Sequence, residues 1–212
     1  MNKPYVIFDM DGTLTDSMHF WRDLGRDYLL QKGVHPDDRQ LWMVQTMTMA
    51  QTAQHFMGCF GLPGPAEDIV AEMNGMMEHH YRTDVPLKPG VLAYLEGLSA
   101  RGTRMCVATA TAAPLARACL ERLGVAGYFA AILSCEDIGL SKQQPDLYLL
   151  AARQLGGRPE QTAVFEDTLY AARTAKQAGF YTVGVYDPCG AGNWEALSTL
   201  ADETITDWRN VP

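Results

Sequence analysis

The sequence predicts an α/β fold, in which a doubly wound parallel sheet carries a small α-helical insert after its first strand. Three features support this fold: short apolar runs that are continuous rather than alternating, helical stretches between these runs, and one long interruption of that order near the start. Continuous apolar runs are typical of strands that are covered on both faces. Strands that alternate with helices form parallel sheets with right-handed crossovers.

The predicted strands are short apolar runs, and they lie at residues 5–8, 105–108, 131–133, 162–165 and 181–185. Between the later strands, helical stretches are predicted at residues 91–100, 114–123, 147–155 and 169–178. Each helix is closed by a glycine, which commonly follows the last helical residue: Gly102, Gly124, Gly156 and Gly179. These elements alternate in the order that a parallel sheet requires.

The interruption predicts two domains. Residues 1–17 and 86–212 form the sheet domain, and residues 18–85 form an α-helical cap with helices over 41–60 and 69–81. Residues 85–90 contain two prolines, which favour extended backbone, so we expect a stiff linker there. We expect Lys88, within this linker, to be solvated.

The amino-acid composition argues against several classes of partner and site. The chain has 212 residues and a net charge of −8, which argues against a nucleic-acid partner. No apolar run approaches the roughly 20 residues that cross a bilayer, and the start of the chain does not resemble a signal peptide, so we expect no membrane partner and a cytoplasmic location. Five cysteines without a CxxC pair argue against a disulfide framework or a zinc site. All five histidines precede residue 81, so chemistry later in the chain is expected to use carboxylates.

Short segments with polar or charged residues follow the predicted strands at the point where each strand ends. They are Asp9 and Asp11 after the first strand, Thr109 with Ala110 and Thr111 after the second, Lys142 after the third, and Glu166 with Asp167 after the fourth. Ligand sites of doubly wound sheets lie beyond the carboxyl ends of the strands, so we expect these side chains to converge.

This combination of groups predicts phosphoryl transfer. Crowded carboxylates repel one another unless a cation lies among them, and Mg²⁺ prefers oxygen ligands completed by substrate phosphate. A lysine nearby would neutralise phosphoryl oxygens, and a carboxylate can be the nucleophile. Taken singly, each group also has a structural explanation: a turn at Asp9 to Gly12, a solvated Lys142, or helix capping by Glu166 and Asp167. Their joint occurrence at successive strand ends favours function.

The motifs at these positions resemble those of the haloacid dehalogenase superfamily, in its group of phosphatases and β-phosphoglucomutase-like enzymes with a helical cap. The first motif is matched by residues 9–17, reading DMDGTLTDS, and the second by Thr109. The third is matched by Lys142 followed by residues 145–148, reading PDLY, and the fourth by residues 166–168, reading EDT. The resemblance implies a Rossmann-like catalytic core.

The resemblance also implies roles for individual residues. Asp9 would attack phosphorus and become an aspartyl phosphate, and Asp11 would protonate the leaving oxygen and then deprotonate water. Thr109, Ala110 and Lys142 would bind phosphate. Mg²⁺ would be bound by Asp9, by the backbone carbonyl of Asp11 and by Asp167. Glu166 would either contact the metal through a water molecule or contact only the metal ligands. The expected function is that of an Mg²⁺-dependent phosphatase acting on a small phosphorylated metabolite.

Two alternatives remain open. A sugar phosphomutase would normally bind a second phosphate with basic residues, but Ala112 replaces the lysine of the mutase motif, and residues 43–81 contain no lysine or arginine. Near its start, that stretch offers only neutral polar side chains: Thr46, Thr48, Gln51, Thr52, Gln54 and His55. The other alternative is a non-hydrolytic phosphoacceptor or binding module, which would not explain the acid at Asp11. Relatives that remove halogen or cleave carbon–phosphorus bonds lack this acid.

Overall fold

The computed structural model describes residues 2–44, 47 and 49–211, so that Thr46 and Thr48 lie outside the described residues. The chain divides into two compact units. Met1–Met18 together with Val85–Pro212 form the first, here called the sheet unit, and His19–Asp84 form the second, the helical unit. In the described part of the chain, no helix is both long and apolar enough to span a bilayer.

The helical unit is built from four helices over its described residues: α1 Met18–Gln31, α2 Asp38–Val44, α3 Met49–Phe60 and α4 Ala66–Thr83. Apolar residues at helical spacing supply its core, and Tyr28 and Phe56 stack there with ring centroids 6.4 Å apart. The prediction of one helix over residues 41–60 is wrong at Met47, which lies in a bend between the described ranges of α2 and α3. The remaining prediction of a helical insert is confirmed.

The strands are β1 Tyr5–Phe8, β2 Arg104–Thr109, β3 Phe129–Ser134, β4 Thr162–Glu166, β5 Tyr181–Val185 and β6 Glu203–Ile205. Among the described residues they form one parallel sheet in the order β3-β2-β1-β4-β5-β6. The order reverses at β1, which therefore lies at the topological switch point of the sheet. Five of these strands confirm the prediction, whereas β6, with only three residues at the sheet edge, was not predicted.

Helices of the sheet unit connect successive strands, at α5 Val91–Ala100, α6 Ala113–Arg122, α7 Cys135–Ile138, α8 Asp146–Leu155, α9 Leu169–Gln177 and α10 Trp194–Leu200. On one face of the sheet, Ile7 and Val164 pack in one apolar cluster with residues of α8 and α9. Successive side chains of a strand point to opposite faces. Accordingly, Phe8 contacts Phe165 on the other face, where Trp208 stacks on Phe165 with ring centroids 5.7 Å apart.

The chain leaves and re-enters the sheet unit through two short paired segments, here called the linker ladder, residues 14–16 and 86–88. Thr15 and Leu87 form an antiparallel bridge, and the backbone N–H of Lys88 donates to the carbonyl of Leu14 at 2.9 Å. The expectation that Lys88 is solvated is wrong. Its side chain is buried, forms an ion pair with Asp187 at 2.9 Å, and donates to the carbonyl of Tyr186.

Candidate active site

The first site segment is the turn that follows β1. The N–H of Asp9 donates to the carbonyl of Phe165 at 3.0 Å, which continues the pairing of β1 with β4 by one residue. Gly12 then adopts a φ of +79°, which is accessible to glycine at little steric cost, and its N–H donates to the carbonyl of Thr15. The turn therefore holds Asp9 and Asp11 at the carboxyl end of the sheet.

A buried ionic network surrounds Asp9. The ammonium group of Lys142 contacts Oδ1 of Asp9 and donates to Oε1 of Glu166 at 2.8 Å. The hydroxyl of Tyr148 donates to the same Glu166 oxygen at 2.7 Å. Since Lys142 comes from the loop before α8 and Tyr148 from α8 itself, the segment after β3 supplies both donors.

The network changes the proton affinities of its members. Burial alone would lower the pKa of Lys142, but the negative charges of Asp9 and Glu166 outweigh burial and raise that pKa above its ordinary value. Burial raises the pKa of Glu166 to about 7, with Lys142 opposing the rise. Burial, followed by the charges of Asp9 and Glu166, raises the pKa of Asp167 well above its ordinary value. The site thus holds more negative charge than Lys142 neutralises.

Asp11 lies in a different environment, among hydroxyl groups. Ser17 Oγ donates to its Oδ1 at 2.7 Å, and Thr111 Oγ1 donates to its Oδ2 at 2.7 Å. Thr109 Oγ1 lies 3.5 Å from Oδ2 and accepts the N–H of Thr111 at 3.0 Å. The two carboxylates of the first motif therefore have different partners: an ammonium group for Asp9 and hydroxyls for Asp11.

The carboxylates of Asp9, Glu166 and Asp167 could hold a metal ion. One oxygen of each lies within 4.8 Å of the other two, and all three residues are buried. Glu166 Oε2 and Asp167 Oδ1 are buried without a hydrogen-bond partner, which is costly for a carboxylate unless a cation lies beside it. Oxygen donors with excess negative charge suit Mg²⁺, so the residues present fit the expected ion.

The fold brings most of the predicted site residues together at one end of the sheet, where Asp9, Asp11, Thr109, Lys142, Glu166 and Asp167 are placed by β1, β2, β4 and the loop before α8. Ala110 is exposed between Thr109 and Thr111. The carboxylate of Glu166 lies in the acidic cluster itself, and that of Asp11 is bound by Ser17 and Thr111.

Three contacting residues received no role from the sequence. Ser17 lies within the first motif and Thr111 is two residues beyond the second, so both are near a recognised signal. Tyr148 ends the matched part of the third motif, and its contact with Glu166 forms because α8 packs against the sheet. The motif alone does not indicate Glu166 as its partner.

Comparisons with known proteins place these residues in a family context. The model of the haloacid dehalogenase-like hydrolase family matches residues 4–179. Hexitol phosphatase A of Escherichia coli K12 is 30% identical, covering 96% of this chain and 94% of its own. Phosphoglycolate phosphatase of Salmonella paratyphi A is also 30% identical, covering 95% and 88%. The structure of a putative β-phosphoglucomutase from Thermotoga maritima superposes with a TM-score of 0.82 at 23% identity, covering 96% and 94%, and shares the fold.

Proposed function

The chain belongs to the haloacid dehalogenase-like hydrolases and is a phosphoric monoester hydrolase, and from that premise we propose an Mg²⁺-dependent phosphatase that acts through an aspartyl phosphate on Asp9. The proposed substrate is a small phosphorylated metabolite. The names of the curated relatives, a hexitol phosphatase and a phosphoglycolate phosphatase, support that substrate class.

The observation that carries this proposal is the contrast between Asp9 and Asp11. The ammonium group of Lys142 can only donate hydrogen bonds, so the Asp9 oxygen that it contacts is an acceptor, as the oxygen of a carboxylate nucleophile is. Hydroxyls both donate and accept, so Ser17 and Thr111 can bind Asp11 whether or not it carries a proton. One carboxylate is thus suited to attack and the other to proton transfer.

In the proposed reaction, an Asp9 oxygen attacks phosphorus and the ester P–O bond breaks. Asp11 gives its proton to the departing oxygen, which leaves as an alcohol. Asp11 then takes a proton from water as the water oxygen attacks phosphorus, which frees Asp9 and yields inorganic phosphate. Thr109, Lys142 and the backbone at Ala110 would bind phosphoryl oxygens throughout.

The metal would be held by Asp9, Asp167 and the carbonyl of Asp11, with Glu166 close by. Mg²⁺, when bound, neutralises negative charge on the phosphoryl group and on these carboxylates. The unpartnered oxygens of Glu166 and Asp167 support this assignment. Lys142 orients Asp9 and Glu166, because its ammonium group contacts both.

The test is phosphate release from a panel of sugar phosphates, sugar-alcohol phosphates, phosphoglycolate and nucleotides. Each assay is run with Mg²⁺, with EDTA, and with Asp9→Asn, which keeps the size of the side chain and removes the nucleophile. Metal-dependent release that Asp9→Asn abolishes is the expected result. Unchanged steady-state rates in EDTA or in Asp9→Asn would refute the mechanism.

The same panel discriminates the alternatives. A sugar phosphomutase would convert one sugar phosphate isomer to another without net phosphate release, which coupled assays or NMR would detect. A phosphoacceptor module would accept one phosphoryl group for each chain and then stop. Repeated release of phosphate excludes both.

A further inference from the structure

We propose that Thr111 is a positioning residue that holds the carboxyl group of Asp11 for proton transfer to the leaving oxygen, and thereby sets the activity of the enzyme toward esters with poor leaving groups. This inference rests on the proposed function. It assigns a role to a side chain that is neither a metal ligand nor a phosphate ligand in that function.

The geometry around Asp11 carries the inference. The Oγ1 of Thr111 and the Oγ of Ser17 bind opposite oxygens of the Asp11 carboxylate, each at 2.7 Å. Two short contacts on two oxygens fix the plane of the carboxyl group, and Thr111 supplies the one on Oδ2. Thr109 is a weaker substitute because its Oγ1 lies 3.5 Å from Oδ2.

Thr111 is itself fixed in place. The residue is only 8% exposed, and its backbone N–H donates to Thr109 Oγ1 at 3.0 Å. A buried hydroxyl of this kind costs little to reorient, so it can donate a hydrogen bond to ionised Asp11 or accept one from protonated Asp11. Thr111 therefore holds Asp11 in the same position before and after the proton moves.

Different leaving groups depend to different extents on the proton that Asp11 supplies. When the ester P–O bond breaks, the electron pair goes to the leaving oxygen, and the proton of Asp11 neutralises an alkoxide. A nitrophenolate leaves without that proton because its negative charge is delocalised. A misplaced Asp11 should therefore slow the cleavage of alkyl phosphates much more than that of p-nitrophenyl phosphate.

The experiment compares kcat/KM for p-nitrophenyl phosphate with kcat/KM for the alkyl phosphate that the wild type hydrolyses best. The variants are Thr111→Val, which keeps the shape and removes the hydroxyl, Thr111→Ser, which keeps the hydroxyl, and Thr111→Ala in case valine prevents folding. Thr162→Val is the matched control, since it removes a buried hydroxyl that bonds the carbonyl of Arg158 at the opposite end of β4. Asp11→Asn is the reference for complete loss of proton transfer.

For Thr111→Val and Thr111→Ala we expect the alkyl phosphate rate to fall by about 10- to 100-fold and the aryl phosphate rate by less than about threefold. Thr111→Ser and Thr162→Val should keep the wild-type ratio of the two rates, and Asp11→Asn should show the largest change in it. An equal loss on both esters in Thr111→Val and Thr111→Ala, or a serine variant that behaves like valine, would overturn the inference. No phosphate release by the wild type from either ester would instead refute the proposed function, and this inference with it.

Discussion

The carboxylate of Asp167 occupies the space in which any residue other than glycine at position 12 would place its Cβ. A Cβ built on Gly12 would lie 2.3 Å from Asp167 Oδ2 and 2.8 Å from its Cγ. These distances are far below ordinary contact, and the φ of Gly12 is +79°. The turn after β1 and the acidic end of β4 therefore fit together only through the absence of a side chain at Gly12.

Replacing Gly12 by alanine should displace Asp167 and weaken the metal site. We expect the Mg²⁺ concentration for half-maximal activity to rise by about tenfold or more, which corresponds to about 1.4 kcal/mol or more in binding free energy. The control is Gly102→Ala, because Gly102 has a similar φ of +74° but nothing within 4 Å of its added Cβ. Equal Mg²⁺ dependence in the two variants would contradict the role of this contact.

Replacing Lys142 by methionine removes the cation that binds Asp9 and Glu166. The ammonium group is buried between two carboxylates, so its loss leaves both without their shared donor. We expect kcat to fall by about 10²- to 10³-fold, as for the loss of other preorganised charges in active sites. Rates are to be compared after circular dichroism has established that the variant is folded. A folded variant with the wild-type kcat would show that Lys142 has only a structural role.

Mg²⁺ should stabilise the protein more at pH 8 than at pH 5. The folded-state pKa of Glu166 is raised from 4.5 to about 7 by burial, so its contribution to stability is present below pH 4.5 and is lost as pH rises through about 7. The raised pKa of Asp167 acts in the same direction. Since a metal binds the ionised carboxylates, it opposes this loss.

The measurement is the thermal midpoint with Mg²⁺ and with EDTA across this pH range. We expect a shift of about 5 °C at pH 8 with Mg²⁺ at about 100 times its dissociation constant, and a much smaller shift at pH 5. The variant Asp167→Asn should lose most of the shift at pH 8. A shift that is independent of pH would mean that Mg²⁺ binds elsewhere.

The ion pair of Lys88 with Asp187 should contribute strongly to stability. Both side chains are buried, so Lys88→Met leaves the Asp187 carboxylate without its cation and should cost about 3 to 5 kcal/mol in the free energy of unfolding. Urea titration measures this cost. The exposed pair of Lys176 with Asp202 is the control, and Lys176→Met should cost less than about 1 kcal/mol.

A double variant separates the ion pair from its surroundings. Removing both charges in Lys88→Met with Asp187→Leu should recover part of the lost stability, because no buried charge remains unpaired. If the double variant were as unstable as the sum of the two single variants, the charge pair would not be the cause.

Much of this molecule follows from local sequence patterns. The strand at residues 5–8 and the helix at residues 91–100 have the predicted bounds, because continuous apolar runs and glycine punctuation depend on near neighbours. The candidate site could also be assembled from the sequence, since parallel strands end at the same edge of a sheet. Residues that directly follow such strands must therefore lie near one another.

The features that the sequence did not predict are contacts between residues far apart in the chain and one very short strand. Lys88 was expected to be solvated because a linker lysine usually is, and nothing near it in the sequence indicates Asp187 as its partner. The strand β6 has three residues and a single buried side chain, so its apolar pattern is too short to recognise. The contact of Tyr148 with Glu166 depends on how α8 lies against the sheet.

The linker ladder bears on how such a protein can change over evolutionary time. Because Thr15 and Leu87 are paired, the chain leaves and re-enters the sheet unit at neighbouring points. A segment whose two ends are already held together can be lengthened, shortened or exchanged at a small entropic cost, and without shifting the register of any strand. The helical unit can therefore be regarded as a cassette, which mutation and recombination can alter while the sheet that carries Asp9 and Asp167 is inherited unchanged.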